Sequence, residues 1–337
     1  MTGDGIEVLS FGEALVDFLP EQIGVKLRDV ERYTRCLGGA PANLAFGVAQ
    51  LGGRSALMGA VGDDEFGHFL REHLHKAGVD VRGLVHTRKA RTGIVFVSID
   101  ADGERSFTFY RHPSADMTIG PEDVNLDVIR DSQIVHSGTS LMAMPSPRAA
   151  NSLALREAHK AGRLVSLDAN IRAHHWDDPS QIMSTILEML ESVDMLKVNE
   201  EEAAFLFGAE QDDPRAAFEE VLAPRDVSAL LWTYGGGGAT IVTADLNVHI
   251  PAPPVEVVDT TGAGDGFLAG TLRALSKVLA PCGTQPGAWV QGMRNMDAQQ
   301  WTSVLGLANH VGSQVCTRFG ATTAIPTAQE IPWKRWF

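Results

Sequence analysis

The chain has 337 residues, 44% hydrophobic and 21% charged, which is enough for one large α/β unit or two smaller ones with a sizeable core. Its 28 basic and 42 acidic side chains give a formal charge of −14, which argues against general binding to nucleic acid or to an anionic membrane. Three scattered cysteines without a C-x-x-C pair, no basic-then-apolar leader and no apolar run near the ~20 residues of a membrane span predict a soluble cytoplasmic protein.

Residues 7–11 read as a buried strand ending at Gly12, and residues 14–19 continue it as extended chain. Asp17 interrupts that second run, either as an outward-facing strand residue or as a group turned toward a ligand. Gly38-Gly39-Ala40-Pro41-Ala42-Asn43 leads into a helix over 44–51, with Pro41 suited to its first turn and the paired glycines allowing close backbone approach. A strand over 56–61 and a helix over 66–77 follow. Residues 94–99, a turn at 100–103 and residues 105–110 form a hairpin whose alternation of apolar and polar residues predicts a sheet with one exposed face.

From residue 134 onward strands and helices alternate, with strands near 134–137, 164–167, 194–198, 229–233 and 239–243. Helices are expected near 146–161, 180–190, 200–207 and 214–222. This pattern implies a mainly parallel sheet with helices on both faces and ligands at the carboxyl ends of its strands. Polar clusters fall at three such ends, at Asp168–Arg172, at Lys197–Asn199 and at Thr233–Gly238. A strand over 255–258, the turn Asp259-Thr260-Thr261-Gly262-Ala263-Gly264-Asp265-Gly266 and a helix over 267–275 come next. The segment 280–297, rich in Pro and Gly, reads as an insertion or mobile loop before a last helix over 301–315.

The turn at 259–266 aims free backbone N–H groups and a positive helix end at one point, so an anion belongs there. Asp265 is a carboxylate beside that anion site, and a base needed next to a phosphate accounts for the conflict. A dinucleotide fingerprint is disfavoured: the third glycine is misplaced and no Asp or Glu occurs between Asp265 and Asp297. No G-x-x-x-x-G-K-[ST] exists in the chain. Asn199 and Glu202 fit a helix capping box, or alternatively a strand-end site holding water on a phosphate-bound Mg²⁺. The eleven histidines show no metal-ligand spacing along the sequence, and the tryptophans read as packing residues.

Gly38–Asn43 together with Asp259–Asp265 resembles the paired signatures of the ribokinase-like (PfkB) sugar kinases, over nearly the whole chain. Gly12–Phe18, Phe109–Asp116, Asp168–Arg172 and Lys197–Glu202 are most similar to the fructokinases of that family. The resemblance implies one kinase domain over 1–337, a Rossmann-like three-layer α/β/α fold, and a small β-sheet lid from segments of about 13–36 and 91–111 that also forms a homodimer contact. It implies Asp265 as catalytic base, with Gly262, Ala263 and Gly264 as the anion hole. Asp17, Gly38, Gly39, Asn43, Arg111 and Arg172 would surround the sugar. Lys197, Asn199 and Glu202 would serve the ATP phosphates and Mg²⁺, with Thr233, Gly235, Gly238 and Asn309 lining the nucleotide site. A monovalent cation such as K⁺ would sit near Asp259, Thr261 and Gly320.

The expected reaction is phosphoryl transfer from ATP to a sugar 6-hydroxyl, most simply that of fructose. A 2-keto-3-deoxygluconate kinase, which shares the Asn170-x-Arg172 pattern, is the alternative, ahead of a ribokinase-type enzyme. A dehydrogenase and a non-catalytic sugar sensor are the readings from other classes.

Overall fold

The computed structural model describes residues 5–100, 105–176, 178–208 and 212–337. Its strands are β1 (Ile6–Phe11), β2 (Leu15–Pro20), β3 (Tyr33–Gly38), β4 (Ser55–Gly62), β5 (Asp80–Thr87), β6 (Ile94–Ile99), β7 (Arg105–Tyr110), β8 (Ser132–Gly138), β9 (Leu164–Asp168), β10 (Met195–Asn199), β11 (Ala229–Thr233), β12 (Ala239–Val242) and β13 (Asn247–Ile250). Nine of them form a central sheet in the order β13-β12-β11-β10-β9-β8-β1-β4-β5. All its ladders are parallel except the β11–β12 and β12–β13 pairs.

The interior parallel strands are mostly apolar, as strands with helices on both faces must be, their polar residues falling largely at the ends. On one face Leu9, Val135, Val165 and Leu196 pack against helices Pro145–Lys160, Gln181–Met189 and Glu200–Phe207. On the other, Val8, Ile134, Leu164 and Leu231 meet helices Ala40–Gln50, Ala263–Leu279 and Ala298–Val315. Each fully buried Leu, Ile or Val contributes about 1.5–3 kcal/mol relative to exposure, so two such faces carry most of the stability of the fold. The result is a three-layer α/β/α domain.

The chain does not continue from β1 into β2 as one extended run. Gly12 donates its N–H to Met58 O at 2.9 Å, still at the central sheet, and by Leu15 the backbone pairs with Gly38 in a second sheet. That sheet has the order β3-β2-β6-β7, with β2–β6 parallel and both outer pairs antiparallel. One face is anchored by Val16, Leu37 and Val95, while Phe107, Phe109 and Tyr110 are 45%, 40% and 64% exposed. Of the turn expected at 100–103, residues 101–103 lie outside the described residues.

Two further expectations need correction. Residues 255–258 form no strand: Pro251, Pro253 and Pro254 just upstream offer no N–H, and the segment leans on the last helix through Val258 N–H to Cys316 O at 2.8 Å. The segment 280–297 is not an unstructured loop. It contains helix Ala288–Arg294, fastened by Trp289 and Met293, which are buried against the helix Ala263–Leu279 side of the core.

Candidate active site

At the carboxyl ends of the strands, helix Ala263–Leu279 begins at Gly262, whose φ of 77° lies in the left-handed region. A Cβ there would also stand 2.5 Å from that of Ala321, so both conformation and space demand glycine. Asp259 braces the turn: its Oδ1 accepts the Thr261 N–H at 2.6 Å and its Oδ2 the Gly320 N–H at 2.7 Å. The Ala263 N–H closes the turn on Thr260 O at 3.1 Å, while Gly264 is exposed with nothing within 4 Å of a Cβ position.

On one side of this turn lies a cavity of about 440 Å³. Lys197, Asn199, Thr233, Gly235, Gly238 and Asn309 all line it, together with Ala263 and Gly264. Sequence reasoning missed its opposite wall, which includes Pro253, Val255, Val257, Phe267 and Cys316 and gives the cavity an apolar side. A larger basin of about 730 Å³ lies beside Gly5, Arg54 and Arg163 at the amino ends of the strands. Parallel sheets bind ligands at the other end, so the smaller cavity is the functional candidate.

Lys197, on the cavity lining, is otherwise buried between Asp168, 3.0 Å from its Nζ, and Glu202 at 3.7 Å. Burial opposes its charge, but the two carboxylates outweigh that and raise its pKa. Glu202 does not reach the cavity. It forms the capping box with Asn199, their side chains and backbones bonded reciprocally at 2.8 Å, and also accepts the Ile171 N–H at 3.2 Å. Burial, then Asp168, pushes the Glu202 carboxyl up.

On the other side of the turn Asp265 accepts a 2.8 Å hydrogen bond from Asn43 Nδ2, 222 residues away in sequence. Removal from water raises the Asp265 pKa to about 6; the Asn43 bond lowers it, Asp168 raises it, and Lys197 and Arg172 lower it. Asp17 faces inward, not outward. Burial raises its pKa to about 7, the Asp265 charge adding to the rise and Arg111 opposing it. Gly38 is what lets Asp17 sit there, since a Cβ would fall 2.2 Å from its Oδ1. Gly38→Ala is therefore expected to displace Asp17 and cut kcat/KM for the acceptor substrate by on the order of 10²-fold with KM for the nucleotide unchanged, as steady-state kinetics would report.

Arg111 is 3% exposed and donates through Nε to Asp116 Oδ2 at 3.1 Å. Burial weakens its charge less than Asp116 and Glu13 strengthen it. Glu13 and Asp116 were not singled out from the sequence, although a Glu directly after the first strand's glycine and an Asp ending a quoted motif were visible signals. Glu13 accepts from Ser140 Oγ at 2.6 Å. Gly39 caps helix Ala40–Gln50 with φ 94°, and Arg172 is exposed, bonded to Ile171 O at 3.2 Å.

A deep cavity and a carboxylate cluster that meet at an anion-seeking helix start define an enzyme that moves a group between two bound molecules. The model of the pfkB family carbohydrate kinases matches residues 6–328. A probable fructokinase-4 of Arabidopsis thaliana is 37% identical over 329 residues, covering 98% of this chain and 96% of that one. Among solved structures, a fructokinase with bound ATP from Xylella fastidiosa superposes with TM-score 0.85 at 33% identity, covering 96% of each chain. A Vibrio cholerae fructokinase double mutant bound to fructose, ADP and potassium ion gives 0.79 at 30% identity, also over 96% of each chain. The chain belongs to the pfkB family of carbohydrate kinases.

Proposed function

We propose that the protein transfers the γ-phosphate of ATP to the 6-hydroxyl of fructose, giving fructose 6-phosphate and ADP. The observation that carries this choice of sugar is the charge around Arg111. Asp116 and Glu13 already neutralise that buried cation, and Asp17 adds a further carboxyl, so the acceptor side favours a neutral polyol over a keto acid. Asn43 Oδ1, buried without a hydrogen-bond partner, is an acceptor left for a sugar hydroxyl.

In this reading Asp265 takes the 6-hydroxyl proton as that oxygen bonds to the γ-phosphorus and the bond to the ADP oxygen breaks. The turn at Gly262, Ala263 and Gly264 receives the developing phosphate charge, with the Ala263 N–H exchanging its turn bond for the phosphate. The nucleotide occupies the 440 Å³ cavity, its base against the apolar wall and its phosphates toward Lys197 and Asn199. Mg²⁺ enters with ATP; Asn199 lines the cavity, and Glu202, bonded to it in the capping box, would reach such a hard ion only through water. A K⁺ ion near Asp259, taking the Thr261 and Gly320 carbonyls as further oxygen donors, would order the turn that Asp259 already braces through the N–H groups of those two residues.

The small sheet acts as a lid over the sugar, and its exposed aromatics on edge strand β7 suit a homodimer contact in a cytoplasmic enzyme. No described helix is long and apolar enough to cross a membrane.

ATP-coupled phosphorylation across fructose, glucose, ribose, tagatose and 2-keto-3-deoxygluconate tests the reading. Fructose is expected to be turned over best; turnover on the keto acid alone would replace this proposal with the keto-acid kinase, and none on any sugar would favour a sensor. Asn43→Ala provides a second check. Without the hydrogen bond that lowers it, the Asp265 pKa climbs above about 6, so the acid limb of the kcat/KM profile shifts to higher pH.

A further inference from the structure

We propose that Asp63, His68 and His86 form a Zn²⁺ site at the root of the small sheet. Each offers one ligand atom, and the three atoms lie within 4.8 Å of one another. They come from three different elements: Asp63 directly after β4, His68 from the first turn of helix Glu65–Lys76, and His86 from β5. No local spacing in the sequence betrays such a set.

The surroundings already have the form of an outer shell. His86 Nδ1 meets Gly62 O at 3.2 Å; donation there puts the proton on Nδ1 and leaves the Nε2 lone pair for a metal. Arg88 Nε holds Asp63 Oδ2 at 2.7 Å, leaving Oδ1, the oxygen that faces His68 Nε2 at 3.5 Å. The two imidazoles lie with ring centroids 4.6 Å apart, close enough for one nitrogen of each to converge on a single ion.

Two imidazoles and one carboxylate match a tetrahedral Zn²⁺ with water in the fourth position, and do not match Mg²⁺, which takes oxygen ligands. Ligands of such an ion stand roughly 3.3 Å apart, given bonds of about 2.0–2.1 Å. His68, with its side chain 57% exposed, has the freedom to close the remaining gap. The Asp63 N–H donates to Thr87 O at 2.8 Å, where the chain turns toward β6, so a bound ion would fasten β4, the helix and β5 at the point from which the small sheet springs.

The test titrates the purified chain with ZnCl₂ against a chromogenic chelator in excess MgCl₂, and it reads metal binding without reference to phosphotransfer. One Zn²⁺ per chain is expected, with affinity at least about tenfold weaker in His68→Ala and in His86→Gln. The His68 substitution lies at an exposed helix position, so that variant stays folded, which circular dichroism verifies. Equal affinity in wild type and both variants, or no stoichiometric binding by the wild type, overturns the proposal.

Discussion

Asp265→Asn is expected to lower kcat by on the order of 10²- to 10⁴-fold while ATP still binds, because the amide fills the same space but takes no proton. Isothermal titration with ATP and a coupled assay separate the two effects; a kcat near wild type would remove Asp265 from the role of base. In the wild type, activity should rise with pH as the base loses its proton. Asp265 titrates at about 6 and Asp17 at about 7, each raised first by burial, and the Asp265 charge raises Asp17 further. The acid limb of kcat/KM therefore belongs to the pair and spans that interval, with activity lost as pH falls through it.

Lys197→Met carries the largest expected cost to stability. It leaves Asp168 and Glu202 buried side by side without the ammonium that sits 3.0 and 3.7 Å from them. Breaking a buried charge network in this way costs about 3–5 kcal/mol. Burial and Asp168 already raise the Glu202 pKa in the presence of the lysine, and losing the cation raises it further. A carboxyl with a raised folded pKa binds its proton more tightly in the folded than in the unfolded state. The deficit should therefore be greatest at neutral pH and shrink as the solution is acidified. Urea titrations at pH 7.5 and 5.5 check this, and an equal deficit at both would show that the carboxylates are not its source. Because Lys197 also lines the cavity, KM for ATP should rise in the same variant.

The interior strands were legible because a parallel strand covered on both faces is a mainly apolar run, as in β1, β9 and β11. The strands that escaped, β3, β5 and β13, are all edges: β5 and β13 end the central sheet and β3 ends the small one. Edge strands carry polar and charged residues, such as Arg35 in β3, Asp80 and Arg82 in β5 and Asn247 in β13, and so lack the pattern. The opposite error arose at 255–258, where a β-branched run has no ladder to join. In 280–297 the Pro and Gly punctuation masked the apolar anchors Trp289 and Met293. Within the site, the glycine turn and Asp265 were readable as a local chemical conflict. Glu13 and Asp116 stood at readable positions, but their importance comes from the burial of Arg111, which Asp116 pairs with five residues on and which Glu13 meets only in the folded chain.

The Asn43–Asp265 bond joins residues 222 positions apart, and β1 cannot acquire its neighbour β8 until residues 132–138 exist. During synthesis β1 can pair early with β4 but must wait for β8 on its other side, leaving that edge and its apolar surface uncovered in the meantime. The two halves of the proposed site, one at Asp17 and Asn43 and one at the 259–265 turn, lie on opposite ends of that wait. A nascent chain that has made Asp17 and Asn43 still lacks Asp265 and the turn at Gly262, so in the proposed mechanism a polypeptide stalled or cut before residue 262 is expected to hold half a site and carry out no phosphotransfer.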